Sequence, residues 1–282
     1  YIQYTILFMS FQYKNGNSVI FFRTFPFFRS FPIDKKTFVV YTVCSFQNYI
    51  RNTVRKGRKM KRTKLKDRQL PDYTKGEEIF NMVTHIVGGA LGIAYLVLCV
   101  IYAATHSDPY AVVSASIYGA SVVVLFSVSS IYHGLRIEKG KKVMQVLDHC
   151  VIYFMIAGTY TPLTLCTLRQ QNPALGWTVF GIVWGMSAFA ALLNAIDLKK
   201  YKIFSIISYL AIGWCIIFTA KSVLNGIGLA GFMWLLAGGV MYSIGAVLYM
   251  FGHKKRYIHS VFHIFIDLAS VCHFVCILFY VL

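Results

Sequence analysis

The chain has 282 residues, of which 57% are hydrophobic and only 13% charged, with a mean hydropathy of +0.60. Soluble domains sit at about 45–50% apolar and about 25% charged, so disorder, a disulfide-rich secreted module and an ordinary cytosolic enzyme are excluded. The net charge of +18 would suit nucleic acid, but no groove-reading module accompanies it. Basic residues that flank membrane spans orient a protein and meet anionic lipid heads, and that is the reading taken here.

Half of the net charge lies in residues 1–59, which hold ten Lys and Arg and one acid, Asp34. This stretch opens on Tyr1 and runs through Phe, Tyr, Ile, Lys and Asn without a sustained helical or strand period. Its aromatic run 21–31 is broken by Arg23 and Arg29, too short and too charged to span a bilayer. It also lacks the cleavage site of a signal peptide. The enriched residues are those that A/T-rich codons specify. Lys56-Gly57-Arg58-Lys59, just before Met60, would be encoded by purine-rich codons resembling a bacterial ribosome-binding site. The expectation is a spurious or disordered basic extension, translated upstream sequence with Met60 as the start. The alternative is a basic amphipathic segment lying on the membrane surface.

Residues 60–282 carry seven apolar stretches of about 20 residues, the length a helix needs to cross the hydrocarbon core. They cover 79–103, 111–133, 146–168, 175–196, 203–222, 229–251 and 259–282. Short polar connectors separate them at 105–109, 136–142, 169–173, 197–202, Asn225-Gly226 and 252–257. Pro109 and Pro173 stand where helices should begin or end. Basic residues alternate between many and few along these connectors: Lys59 to Lys75, none, Arg136 to Lys142, Arg169 alone, Lys199 to Lys202, Lys221 alone, Lys254 to Arg256, then none. The expected fold is therefore all-α, with seven transmembrane helices, the N-terminus cytoplasmic and the C-terminus outside. That orientation excludes G-protein-coupled receptors, and the absence of Lys from 259–282 excludes a retinal protein. The seven cysteines, Cys44, Cys99, Cys150, Cys166, Cys215, Cys272 and Cys276, form no C-x-x-C pair and read as packing.

Ionisable residues within a span are costly and point to function. Here they are His85, His133, Asp148, His149, His259, His263, Asp267 and His273. With the N-terminus inside, His133 ends the second span at the cytoplasmic face. Asp148 lies about one turn into the third, and His259 and His263 begin the seventh at the same level. His259 and His263 are four residues apart, on one helical face and about 6 Å apart along the axis, a spacing that suits two nitrogen ligands of one metal. His133 supplies a third, and three histidines with one remaining position describe a catalytic zinc site. Asp148 is placed to accept a proton from a water there. Ser129, one turn deeper than His133, is placed to hydrogen-bond that water or a substrate carbonyl. His85 reads as an interhelical hydrogen bond, His149 as packing or support, and His273 as too deep to join, about 20 Å along its helix.

Ser129-Ser130-Ile131-Tyr132-His133, Asp148-His149-Cys150-Val151-Ile152-Tyr153, Ala157-Gly158-Thr159-Tyr160-Thr161-Pro162 and His259-Ser260-Val261-Phe262-His263 together resemble the hemolysin III family. Those bacterial proteins are similar to the adiponectin and progestin receptor group. The likeness covers residues 60–282, including Glu77-Glu78-Ile79 and 81–85, and residues 1–59 lie outside it. It implies a seven-helix, N-in fold with Ser129, His133, Asp148, His259 and His263 around a zinc ion. It also implies kinship with alkaline ceramidases, zinc-dependent lipid amidases. Asp267 departs from the pattern, standing where an apolar residue is expected, and reads either as a partner of a ligand histidine or as a proton-transfer group of its own. Three functions follow as expectations. The first is a zinc-dependent hydrolase of a lipid amide or ester in the bacterial plasma membrane. The second is a zinc-stapled sensor of membrane fluidity or energetics. The third, a cytolytic pore, has least support, since no repeated polar stripe lines a channel. The bilayer and a lipid substrate are the partners implied, with no nucleic acid and no identified protein partner.

Overall fold

Thr74 begins the first long helix, α1 (Lys75–His106), through a reciprocal cap. Its hydroxyl accepts from the Glu77 N–H (3.2 Å), and the Glu77 carboxylate accepts from the Thr74 N–H (2.9 Å), which satisfies two otherwise unpaired donors. Asp108 caps α2 (Pro109–Gly134) by accepting from the Ala111 N–H at 3.0 Å. Asn172 caps α4 (Pro173–Asp197) by accepting from the Leu175 N–H at 3.1 Å. Pro109 and Pro173 thus open helices, where a missing N–H costs nothing. Between them α3 (Glu138–Pro162) continues through a π-helical turn, Leu163–Leu168, into Arg169–Gln171. Pro162 has no N–H to donate within this continuous helix, and the wider turn follows directly after it.

The computed structural model describes residues 6–14, 17–25, 62–252 and 255–282. It divides into two units, residues 1–61 and 62–282. Every regular element described in the second unit is helical. In the first unit β1 (Ile6–Lys14) pairs antiparallel with β2 (Asn17–Phe25), Lys14 opposite Asn17. This hairpin corrects the expectation of no regular period in that stretch. The residues between the strands are Asn15-Gly16, the strongest short hairpin signal, and the flanking Ile, Phe and Tyr favour strands. The expectation of a spurious or disordered extension concerns residues 1–59, most of which, 1–5, 15–16 and 26–59, lie outside those described.

After α4 come α5 (Lys202–Gly213), a 3-10 turn at Cys215–Thr219, α6 (Ala220–Phe251) and α7 (Ile258–Cys276), which ends in a π-helical turn, Ile277–Val281. Among the described residues, six helical stretches are long and apolar enough to cross a membrane: Lys75–His106, Pro109–Gly134, Glu138–Gln171, Pro173–Asp197, Lys202–Met250 and Ile258–Val281. The fifth joins two of the expected stretches, and Gly228 breaks its helical backbone at φ 68°, ψ 174°. That conformation is essentially restricted to glycine, so Gly228→Ala should cost about 1–3 kcal/mol, read as a lower thermal midpoint in detergent. The third stretch begins eight residues earlier than the expected 146, because Lys142 bonds Glu138 one turn back (2.6 Å) and the Lys66 carbonyl (3.1 Å). Asp148 therefore lies nearly three turns from the start of its helix.

α1 packs on α2 and α7, α2 on α3, α3 on α4, and α6 on α7. Tyr95 and Cys99 of α1 meet Tyr118, Val122 and Phe126 of α2 in one buried cluster. The six described cysteines are all free thiols, in keeping with a packing role. Residues 62–72 cross one end of the helices. Arg62 donates to the Ile196 carbonyl (3.0 Å), the Thr63 N–H to Asp197 (2.8 Å), and Asp72 accepts from Arg256 through its carbonyl (3.2 Å). At the other end Ser107 donates to the Leu282 carbonyl and Arg169 pairs with Asp108 at 2.8 Å.

Candidate metal centre

Glu77 joins the two helices that build the site. Besides capping α1, it accepts from the Tyr257 N–H (2.8 Å) and from Arg256 (3.2 Å). Tyr257 is the one non-glycine residue with positive φ, 61°, among the described residues, and it leads directly into α7. Within the first turn of that helix, Ser260 donates to the Asn81 side-chain oxygen of α1 at 2.7 Å. These bonds fix the register between α1 and the start of α7, and so the height at which His259 and His263 stand.

His133, His259 and His263 each offer a nitrogen within 4.8 Å of the others, and all three are buried. Glu78 accepts from His133 Nδ1 at 2.6 Å, so the proton sits on Nδ1 and the Nε2 lone pair is free. That Nε2 is buried without a hydrogen-bond partner. Lys141 steadies the carboxylate at 2.7 Å and also donates to the His133 and Leu135 carbonyls, both at 3.3 Å. Such carboxylate–histidine pairs set the tautomer and aim of metal ligands. On α7, His259 Nε2 and His263 Nε2 face each other at 2.9 Å, an approach that requires a shared proton or a cation. Nitrogens bound to one zinc at 2.0–2.1 Å lie about 3.4 Å apart in tetrahedral geometry. The donor set, its burial and the free Nε2 of His133 all fit a metal ion.

Aromatic rings close over the triad. Tyr73 stacks on His259 (4.9 Å, 14°) and lies 5.9 Å from His133. Burial, then the negative charges nearby, push its phenol above the usual range, so it stays a protonated donor. Tyr249 bonds His149 Nε2 at 2.9 Å while His149 Nδ1 donates to the Gln145 carbonyl at 2.8 Å. A neutral His149 in this tautomer is fully engaged, consistent with support.

A mostly apolar cavity of about 200 Å³ runs from His259 and His263 into the helices, with Ser129 and Asp148 on its wall and His273 among its lining residues. Asp148 is the one carboxylate among the described residues that line it. Asp148 and Ser129 thus share the cavity with His259 and His263 but are not part of the nitrogen cluster. His273 donates through Nε2 to the Leu235 carbonyl at 3.2 Å, about 21 Å along α7 from His259. Sequence reasoning missed Glu78 and Tyr73. Glu78 carries one usable signal, an acid at the same membrane face as His133, but nothing separates it from Glu77 without the fold.

A multi-pass membrane protein, helical in every regular element described in residues 62–282, with a buried histidine triad that could hold a metal ion is the class these observations define. A family model described as Haemolysin-III related matches residues 73–274, and the chain belongs to this family of cell-membrane proteins. It is 37% identical to Hemolysin-3 of Bacillus cereus over 206 residues, 73% of this chain and 92% of the relative. It is 35% identical to the Hemolysin-3 homolog of Bacillus subtilis (strain 168) over 74% of this chain and 96% of the relative. The human Monocyte to macrophage differentiation factor is 28% identical over 59% of this chain and 70% of its own length.

Proposed function

We propose that the chain is a membrane-embedded zinc hydrolase that cleaves a lipid amide or ester near the cytoplasmic face. The observation that carries this reading is a histidine triad of which two members, His259 and His263, line an apolar cavity where Asp148 is the one carboxylate among the described lining residues. His133, His259 and His263 would hold the ion, and zinc there supplies Lewis acidity and an activated water near neutral pH. Asp148 accepts a proton from the attacking water and returns it to the leaving amine or alkoxide as the acyl bond breaks. Ser129 donates to the acyl carbonyl, and the cavity takes up the hydrocarbon chain. Metal analysis of the purified protein, with a lipidome comparison of cells that have and lack it, tests the reading. No zinc and an unchanged lipidome would overturn it.

We further propose seven crossings with the N-terminus inside. The 49-residue stretch Lys202–Met250 would extend about 74 Å as one helix, more than twice the roughly 30 Å hydrocarbon core. Gly228 is where it can divide. The basic residues of 62–68, 139–142 and 199–202 gather at the end crossed by residues 62–72, with Leu282 at the other. A reporter active only in the cytoplasm should work when placed in 139–142 and be silent after Leu282; the reverse would move the histidines to the outer face.

Glu78 supports His133 and is the partner to remove next. Glu78→Ala should weaken metal binding about 10–100-fold in competition titrations, because His133 Nδ1 then loses the acceptor that sets its tautomer.

A further inference from the structure

We infer that Asp267, acting through His85, is a positioning residue for His263. The inference rests on the metal reading above and extends it to the side of the triad that faces the bilayer interior.

A carboxylate inside a span is costly unless something uses it. Asp267 lies one turn beyond His263 on α7, and its Oδ1 is buried without a hydrogen-bond partner. His85 Nδ1, on α1, is also buried and unpartnered, and the two atoms stand 3.9 Å apart. That is too long for a hydrogen bond, but a small side-chain rotation closes it. The His85 ring sits between Phe126, 5.2 Å away, and His263, 3.9 Å away centroid to centroid. Any rotation of His85 therefore presses on the ligand ring.

Gly88 makes the arrangement possible. A Cβ at Gly88 would come within 2.6 Å of Asp267 Oδ1 and 2.7 Å of Phe126. Helix α1 thus leaves open the spot where the carboxylate and the phenyl ring meet it. A carboxylate that accepts from an imidazole N–H fixes that ring's tautomer and orientation. His85, held in this way, supports the plane of His263 from below, as Glu78 supports His133 from the side. His263 Nδ1 has no hydrogen-bond partner of its own, so ring packing is what sets the aim of its Nε2.

The test uses the full chain in detergent, with cobalt as the probe metal. Asp267→Leu should weaken cobalt affinity about 10–100-fold and shift the cobalt visible bands. The metal-free variant should unfold at the same temperature as the parent or higher, since an apolar side chain replaces a buried acid. Asp267→Asn, whose amide oxygen still accepts from His85, should recover most of the affinity. Gly88→Ala, which pushes the carboxylate aside, should weaken cobalt binding as the Leu variant does, and it serves if that variant does not purify. Unchanged cobalt affinity in the Leu or Ala variant, an Asn variant as weak as Leu, or affinity and metal-free stability falling together in the Leu variant would each overturn the inference. A parent chain that binds no cobalt would overturn the metal reading first and this one with it.

Discussion

His133→Ala, His259→Ala and His263→Ala should each reduce bound zinc from about one ion per chain to below about 0.2. The three nitrogens come from two helices, α2 and α7, and no fourth imidazole or carboxylate joins the group within 4.8 Å among the described residues. Two remaining histidines leave the ion with too few protein ligands to resist exchange with water. The variants should differ in how the apoprotein behaves. His133→Ala leaves Glu78 paired with Lys141, so the half-buried acid keeps a counter-charge. His263→Ala removes a ring that is 1% exposed and packed against His85, and it should also lower the thermal midpoint. His106→Ala, at the exposed end of α1, serves as the control and should keep full metal content. Elemental analysis after purification without added metal gives the answer. Three variants that all retain zinc would place the ion elsewhere.

The membrane class was legible because the solvent is: apolar runs of span length admit few structures other than helices. Helix starts were legible where a local side chain makes them, as at Asp108-Pro109 and Asn172-Pro173. The extension of α3 back to Glu138 was not, since it depends on Lys142 reaching the Lys66 carbonyl, 76 positions away. The division at Gly228 was visible only as a polar gap near Asn225-Gly226. His259 and His263 could be paired from their spacing, and His133 from topology. Glu78 could not, because its partner lies 55 positions on and only the crossing of α1 and α2 brings them together. His85 was read as a hydrogen-bonding group between helices, and its place against the His263 ring could not be read from the sequence. Contacts that depend on how two helices cross leave little trace in either helix alone.

Asp148→Asn should leave zinc bound while lowering hydrolysis of a responsive lipid by about 10²–10⁴. Asp148 is outside the nitrogen cluster, so metal content does not depend on it. Asn keeps the size of the side chain and its hydrogen-bonding oxygen but cannot take up a proton. Glu78, the acid beside His133, is held by His133 at 2.6 Å and Lys141 at 2.7 Å, and it is therefore poorly placed to substitute. With Asp148 the one carboxylate among the described residues on the cavity wall, no other side chain there offers a second carboxylate base. A zinc-stapled sensor would respond differently. Its function requires the ion and the fold, both of which the substitution preserves, so a cell-based readout of membrane state would stay at the parent level. Measuring zinc content, lipid hydrolysis and that cellular readout on the same variant separates the two functions. Zinc retained with hydrolysis lost identifies Asp148 as the base of an enzyme, whereas zinc retained with full cellular function would show that no proton transfer at Asp148 is needed.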